Sequence, residues 1–297
     1  MFDRKKFKYF AIQQLGGRWA IPVATSCIAM AFSFLFQFTY TLIEVSSITI
    51  LGLDTPSYSY ESTMAPFNIL SIMFIVMLIF ILGNSILQYA SSCMYLKMSY
   101  TPERITIEDY FHNFKEFGRA MGTYLWTVLW TFLWMLLFFV PGFIKNYEYS
   151  QTTFIAAENK KLSIRESMKL SMIITNGYKA DLFILDLSFL GWLLLSNLFT
   201  LGLGELWLMP YMYMTRINAY HYIMQDAIKR EIIPEEYLSK LNDIYKQEKP
   251  EVDTIGYTEK IEASISSENK ENNESENIII LDAPKEQETT SDNDDKN

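Results

Sequence analysis

Two cysteines and two histidines are all that 297 residues hold of the side chains most used for metal ligation and covalent catalysis. Cys27 and Cys93 lie in or beside apolar stretches, with no CxxC pair and no histidine nearby, and read as small packing residues. His112 and His221 are far apart in sequence, too little material for a zinc set or a histidine-based triad. A basic surplus is also missing: the net charge is −9, and no basic surface for nucleic acid exists. These absences predict no enzyme, no cofactor and no metal site.

Long apolar runs, by contrast, are abundant. Half of the residues are hydrophobic, with 21 Phe, 19 Tyr and 15 Met, and the charge is unevenly placed. From residue 228 onward there are 9 basic and 19 acidic residues, which leaves 16 and 15 for everything before. The acidity belongs to a tail, and a nearly neutral apolar body precedes it. The expected class is an all-α polytopic transmembrane bundle, residues 1–227. A charged cytoplasmic segment at 228–249, helical in character and broken early by Pro234, and a disordered acidic tail at 250–297 follow it. In the tail, "IIIL" at 278–281 is the one apolar island, either an accident of composition or a peptide that docks on a partner.

The first 18 residues carry Arg4, Lys5, Lys6, Lys8 and Arg18, like the charged start of a signal peptide. No small-residue cleavage site follows, so the 25 uncharged residues 19–43 are expected to remain as a span. Gln14 to Arg18 suit an interfacial approach, with Trp19 as a belt residue. The remaining membrane segments are predicted at about 66–90, 123–140, 143–157, 182–199 and 203–222. The segment 44–65 holds Glu44, Asp54 and Glu61 but no Lys or Arg, whereas Lys97, Arg104, Lys115 and Arg119 follow the second span. The positive-inside rule then places both termini in the cytoplasm.

One reversal decides the count. If the chain crossed only once between 123 and 157, Lys160, Lys161, Arg165, Lys169 and Lys179 would all lie outside. A turn at Pro141–Gly142 returns them to the basic side, and proline and glycine make such a turn locally cheap. The returning arm is polar and should be shielded by neighbouring helices. Two inner helices are expected beside these segments. One covers 106–122, opened by Thr106 and Asp109, with Phe111, Phe114 and Phe117 on a face that either lies in the membrane surface or packs on the spans. The other covers 163–177, with Ser163 and Glu166 as a capping box and Gly177 at its stop.

Ionisable residues inside membrane segments mark functional candidates, here Lys145, Glu148, Asp186, Glu205 and Arg216. Depth counted from the turn at 200–204 pairs Asp186 with Arg216, and the same counting sets Lys145 level with Glu205. The stretches "VPGFIKNYEYSQTTFIAAEN", "SIRESMKLS" and "LFILDLSFLGWLLLSNLFTLGLGELWLMPY" resemble the bacterial integral membrane proteins grouped as domain of unknown function 975, from about residue 111 to 222. Glu205 stands where that resemblance expects an apolar residue, and the acidic tail departs from it. The resemblance implies a multi-span bacterial membrane protein and no particular activity. The expected role is a non-enzymatic factor of the cell membrane that binds lipids or partners, in assembly, envelope stress or protection against membrane-active peptides. A membrane or cytoplasmic protein held through the tail is one such partner. The alternative is a small-molecule or ion transporter that uses its buried charges.

Overall fold

The computed structural model describes residues 2–50 and 65–241, with side chains placed for 2–45 and 70–241. The expectations for the outer segment around 51–64, the tail at 250–297 and its apolar island lie outside these residues. The chain divides into two units, Met1–Lys246 and Gln247–Asn297, and the described residues all belong to the first.

Every regular element among the described residues is helical. Four helical stretches are long and apolar enough to cross a membrane: Ala20–Val45, Leu70–Tyr100, Ile107–Leu137 and Lys179–Thr200. They correspond to four of the six predicted segments. The other two, at 143–157 and 203–222, are helical but not of that kind. The first is two short helices, α6 (Phe139–Tyr149) and α7 (Thr152–Glu158). The second is α10 (Glu205–Lys229), which carries twelve buried residues including Thr215, Asn218 and His221. A helix whose polar groups are enclosed by protein has no need of a continuous apolar surface.

The core sits at one end of the bundle. Helices α2 (Ala20–Ile50) and α3 (Ala65–Tyr100) pair along their apolar lengths, with Phe36 stacked on Phe80 at 3.8 Å. Their far ends leave Phe34, Leu42, Leu70 and Phe74 exposed. Near the other end, Tyr89, Met94, Tyr95 and Met98 of α3 are buried against α10 and its neighbours. Exposed leucine and phenylalanine along a long helix is unstable in water and natural in hydrocarbon.

Helix α1 (Arg4–Leu15) closes that end. Asp3 caps it by accepting from Lys5 N and Lys6 N. Phe7, Ala11 and Leu15, four residues apart, are buried as it packs along α10. Asn218 Nδ2 donates to Gln14 Oε1 at 2.9 Å, and Arg18 Nη1 to Thr101 O at 2.6 Å, so α1, α3 and α10 are tied together. The basic start of the chain is thus a docked helix, which the charge count alone concealed.

The predicted reversal occurs, three residues earlier than expected. Helix α5 (Phe117–Leu137) ends at Phe138, whose backbone is extended (φ −154°, ψ 134°), and α6 begins at once. Pro141 lies in the first turn of α6, where its missing N–H has no intrahelical partner to lose. Gly142 serves the contact between the two arms: a Cβ there would fall 2.6 Å from Met135 Cα. At the opposite end of the hairpin, Arg119 donates to Ala156 O (2.9 Å), Asn159 O (3.1 Å) and Leu162 O (2.7 Å). The end of α7 has therefore come back beside the start of α5.

Both capping boxes form. Thr106 and Asp109 open the short α4 (Ile107–His112), and Ser163 and Glu166 open α8 (Ile164–Ile174). In α4 the anchoring ring is Tyr110, fully buried with its hydroxyl donating to Leu87 O at 3.3 Å, while Phe111 and Phe117 point outward. The stretch is broken by a 3₁₀ turn, Asn113–Glu116, before α5 starts, so the expected single helix over 106–122 is two. Helix α9 (Lys179–Thr200) returns into α10 through Leu201 and Gly202, both at positive φ (51° and 88°). Helix α10 runs seven residues past the predicted end at 222. Among the described residues of the charged segment that follows, up to 241, the helix is the short α11 (Glu235–Leu238), begun by Pro234, and the rest of that expected segment, 242–249, lies outside the described residues.

Candidate functional site

Two clusters of charge occupy the region between α6, α9 and α10. In the first, Arg216 Nε of α10 donates to Asp186 Oδ1 of α9 at 2.9 Å, and the Tyr147 hydroxyl of α6 reaches Asp186 Oδ2 at 3.4 Å. Equal distance from the α9–α10 turn brought the two charges to one depth. In the second, Glu148 of α6 lies between two ammonium groups, Lys145 Nζ at 2.6 Å and Lys179 at the start of α9. Its backbone oxygen accepts from Ser171 Oγ of α8 at 2.6 Å. A carboxylate that is 8 % exposed stays ionised only with such partners.

The structure does not pair Lys145 with Glu205. Lys145 bonds within its own helix at i,i+3 and also lies over the Trp134 ring at 5.2 Å. Glu205 sits in the first turn of α10, where the helix dipole favours a carboxylate, and accepts from Asn197 Nδ2 at 2.8 Å. Equal depth without a shared hairpin was not enough. That first-turn position also accounts for an acidic residue in an otherwise apolar motif.

A cavity of about 330 Å³ opens beside the Asp186–Arg216 pair. Its wall includes Gln88, Tyr124, Thr127, Gln151, Asp186 and Arg216, drawn from α3, α5, the α6–α7 joint, α9 and α10. Gln151, between α6 and α7, is 3 % exposed. Its Nε2 donates to Ser150 Oγ at 2.9 Å, and that hydroxyl in turn donates to Tyr147 O at 2.8 Å. The chain of donors fixes the amide with Oε1 as the open atom, and Oε1 is buried without a partner.

Helix α5 carries Trp126, Trp130 and Trp134 at a spacing of four. "TYLWTVLWTFLW" at 123–134 repeats every four residues, and Thr123, Thr127 and Thr131 all have buried hydroxyls without a partner. The indole stripe meets cations at both ends, Arg165 over Trp126 at 4.8 Å and Lys145 over Trp134. Helix α5 therefore shows one polar line and one aromatic line. The repeat was visible in the sequence.

Outside the cavity, the Ser99 hydroxyl and the Tyr100 hydroxyl meet the two ring nitrogens of His221 at 2.9 and 3.2 Å. Among the described residues, no group of three or more His, Cys, Asp or Glu side chains gathers closely enough to hold a metal ion. No curated protein and no solved structure matches the chain. Residues 135–227, which contain Lys145, Glu148, Asp186, Glu205 and Arg216, match the model of the family described as Protein of unknown function (DUF975).

Proposed function

We propose that this is a multi-pass protein of the bacterial cell membrane that binds lipid or protein partners and carries out no catalysis. In this reading six segments lie in the membrane, α6–α7 and α10 joining the four apolar helices, with both termini in the cytoplasm. The basic residues at 97–119 and 160–179 support that orientation. The observation that carries the binding role is the cavity lined by five parts of the bundle, next to charges that are already compensated. A pocket lined by both polar and apolar groups within an apolar body suits an amphipathic ligand. The acidic tail extends the role to recruitment of a protein partner.

A transporter is the second reading, favoured by the same cavity, since polar groups at depth can line a path. Photocrosslinking from position 128, at the cavity wall, in native membranes tests the binding role. Captured lipid or membrane protein, identified by mass spectrometry, is the expected result. A protein that captures nothing but moves a solute across a reconstituted bilayer, with loss in Asp186→Asn, replaces this reading with transport.

A further inference from the structure

We infer that the cavity beside Asp186 and Arg216 binds a phosphate-bearing polar head that also carries a hydrogen-bond donor. This inference rests on the binding role proposed above and names its ligand chemistry.

The open valences of the wall decide the class. Asp186 accepts from Arg216 Nε on one oxygen and from the Tyr147 hydroxyl on the other, so its charge is already compensated. Arg216 uses only Nε in that pair, so its two terminal nitrogens are free among the described residues to form a forked contact with an anion. The guanidinium remains charged at any accessible pH and cannot shed its demand by losing a proton. The guanidinium is partly open, 39 % exposed, so its terminal nitrogens are accessible at the cavity, and a phosphate oxygen pair matches their fork.

Gln151 adds the second requirement. Its Oε1 is an acceptor in a side chain 97 % removed from solvent, with no donor near it. The Thr127 hydroxyl, also in the wall, is likewise buried and unpartnered. A phosphodiester alone has no donor for Gln151 Oε1, whereas a phosphate ester that also carries a hydroxyl or ammonium group offers an anion to Arg216 and a donor to Gln151. Phospholipid heads and soluble polyol phosphates share this chemistry. Tyr124 and Tyr213 also line the cavity and give apolar surface for the carbon skeleton.

The test uses the full-length chain in a neutral detergent, read by native mass spectrometry. Phosphatidylglycerol and glycerol 3-phosphate are titrated separately, with phosphatidylcholine, which has phosphate but no donor, as the comparison. We expect phosphatidylglycerol or glycerol 3-phosphate to bind at least tenfold more tightly than phosphatidylcholine. Whichever of the two binds identifies the source as lipid or soluble. Arg216→Gln should weaken that adduct at least tenfold. Gln151→Leu, which keeps Asp186 and Arg216 in place, should do so too and decides the matter if Arg216→Gln does not fold. Failure of both probes to bind, or binding unchanged in folded Gln151→Leu, overturns the assignment. Crosslinked partners captured from position 128 would then still uphold the binding role, so the two conclusions fail separately.

Discussion

Asp186 Oδ1 lies 2.9 Å from Arg216 Nε across the α9–α10 hairpin, a pair separated by 30 residues in sequence. Both side chains are partly open, 27 % and 39 % exposed, so the pair is worth less than a fully enclosed one. Asp186→Asn and Arg216→Gln should each cost about 1–3 kcal/mol in stability, because each leaves one charge without its partner. The double substitution should cost no more than either single one, and thermal unfolding in detergent of all four proteins measures the coupling. Additive losses would show that the two residues act separately.

Gly142 sets the separation of the α5–α6 hairpin. A Cβ would meet Met135 at Cγ (2.5 Å), Cα (2.6 Å) and N (2.7 Å), and two of those atoms are backbone that cannot swing away. Gly142→Ala should therefore destabilise by about 1–3 kcal/mol through overpacking. Gly191 of α9 has nothing within 4 Å of the same position, so Gly191→Ala should stabilise by about 0.5–1 kcal/mol. Melting temperatures that move the same way in both variants would contradict this account.

What the sequence disclosed and what it hid follow one line. The capping boxes at Thr106 and Ser163, the apolar spans and the Asp186–Arg216 pairing depend on local spacing or on counting from one tight turn, and all were legible. The turn at Phe138 was displaced because Pro141 and Gly142 read equally well as a loop or as the first turn of a helix, and only the contact with Met135 separates the two. The docking of α1 escaped because five basic residues masked the Phe7, Ala11, Leu15 spacing. The cavity could not be read at all. Gln88, Thr127 and Gln151 meet only once five parts of the chain are in place, and no periodicity links them.

Phe7 offers a direct test of that docked helix. Its ring is 5 % exposed and lies in edge contact with Phe2 at 4.9 Å and against Tyr222 at 5.5 Å. Phe7→Ala should cost about 3–5 kcal/mol, as truncation of a buried ring does. Tyr9→Ala, at an exposed position of the same helix, should cost under about 0.5 kcal/mol. Equal effects would mean that α1 is not packed on α10 in the membrane.

Glu166 joins the cap of α8 to the segment after α10. Its carboxylate accepts from Lys240 Nζ at 2.5 Å and from Ser163 N at 2.7 Å, and those bonds hold its pKa down to about 2, below the ordinary glutamate value of 4.5. A carboxyl group depressed by folding stabilises the native state above the unfolded pKa, and that contribution is lost as pH falls through the folded value. The contact should accordingly be intact above about pH 4.5 and be lost toward pH 2. Lys240→Gln should move the Glu166 midpoint upward, because it removes the larger cause and leaves the Ser163 bond. Carbon-13 NMR of labelled glutamate follows that midpoint, and an unchanged midpoint would sink the contact.

The tip of the α5–α6 hairpin carries the question of how the chain crosses. Leu136, Leu137, Phe138, Phe139 and Val140 are all more than 60 % exposed, and none is polar. A turn made of such residues would be costly in water. Its backbone, however, stays largely bonded: Phe138 N donates to Trp134 O and Gly142 N to Phe138 O, both at 3.0 Å. A reversal with so few open polar groups can rest in hydrocarbon, provided the rest of the arm is shielded by protein. The arm is so shielded, with Phe154, Ile155 and Ala156 buried and Arg119 capping its end. An environment-sensitive dye on cysteine at position 139, in a background without Cys27 and Cys93, should emit as in an apolar medium and resist aqueous quenchers. Lys161, which is exposed, is a better reporter of sidedness than the buried Asn159 beside it. Cysteine at position 161 should react with an impermeant reagent only when the cytoplasmic face is opened. Labelling of intact cells at 161, with the dye at 139 quenched from the same side, would mean that the hairpin stands on the outer surface and that the assigned orientation is inverted.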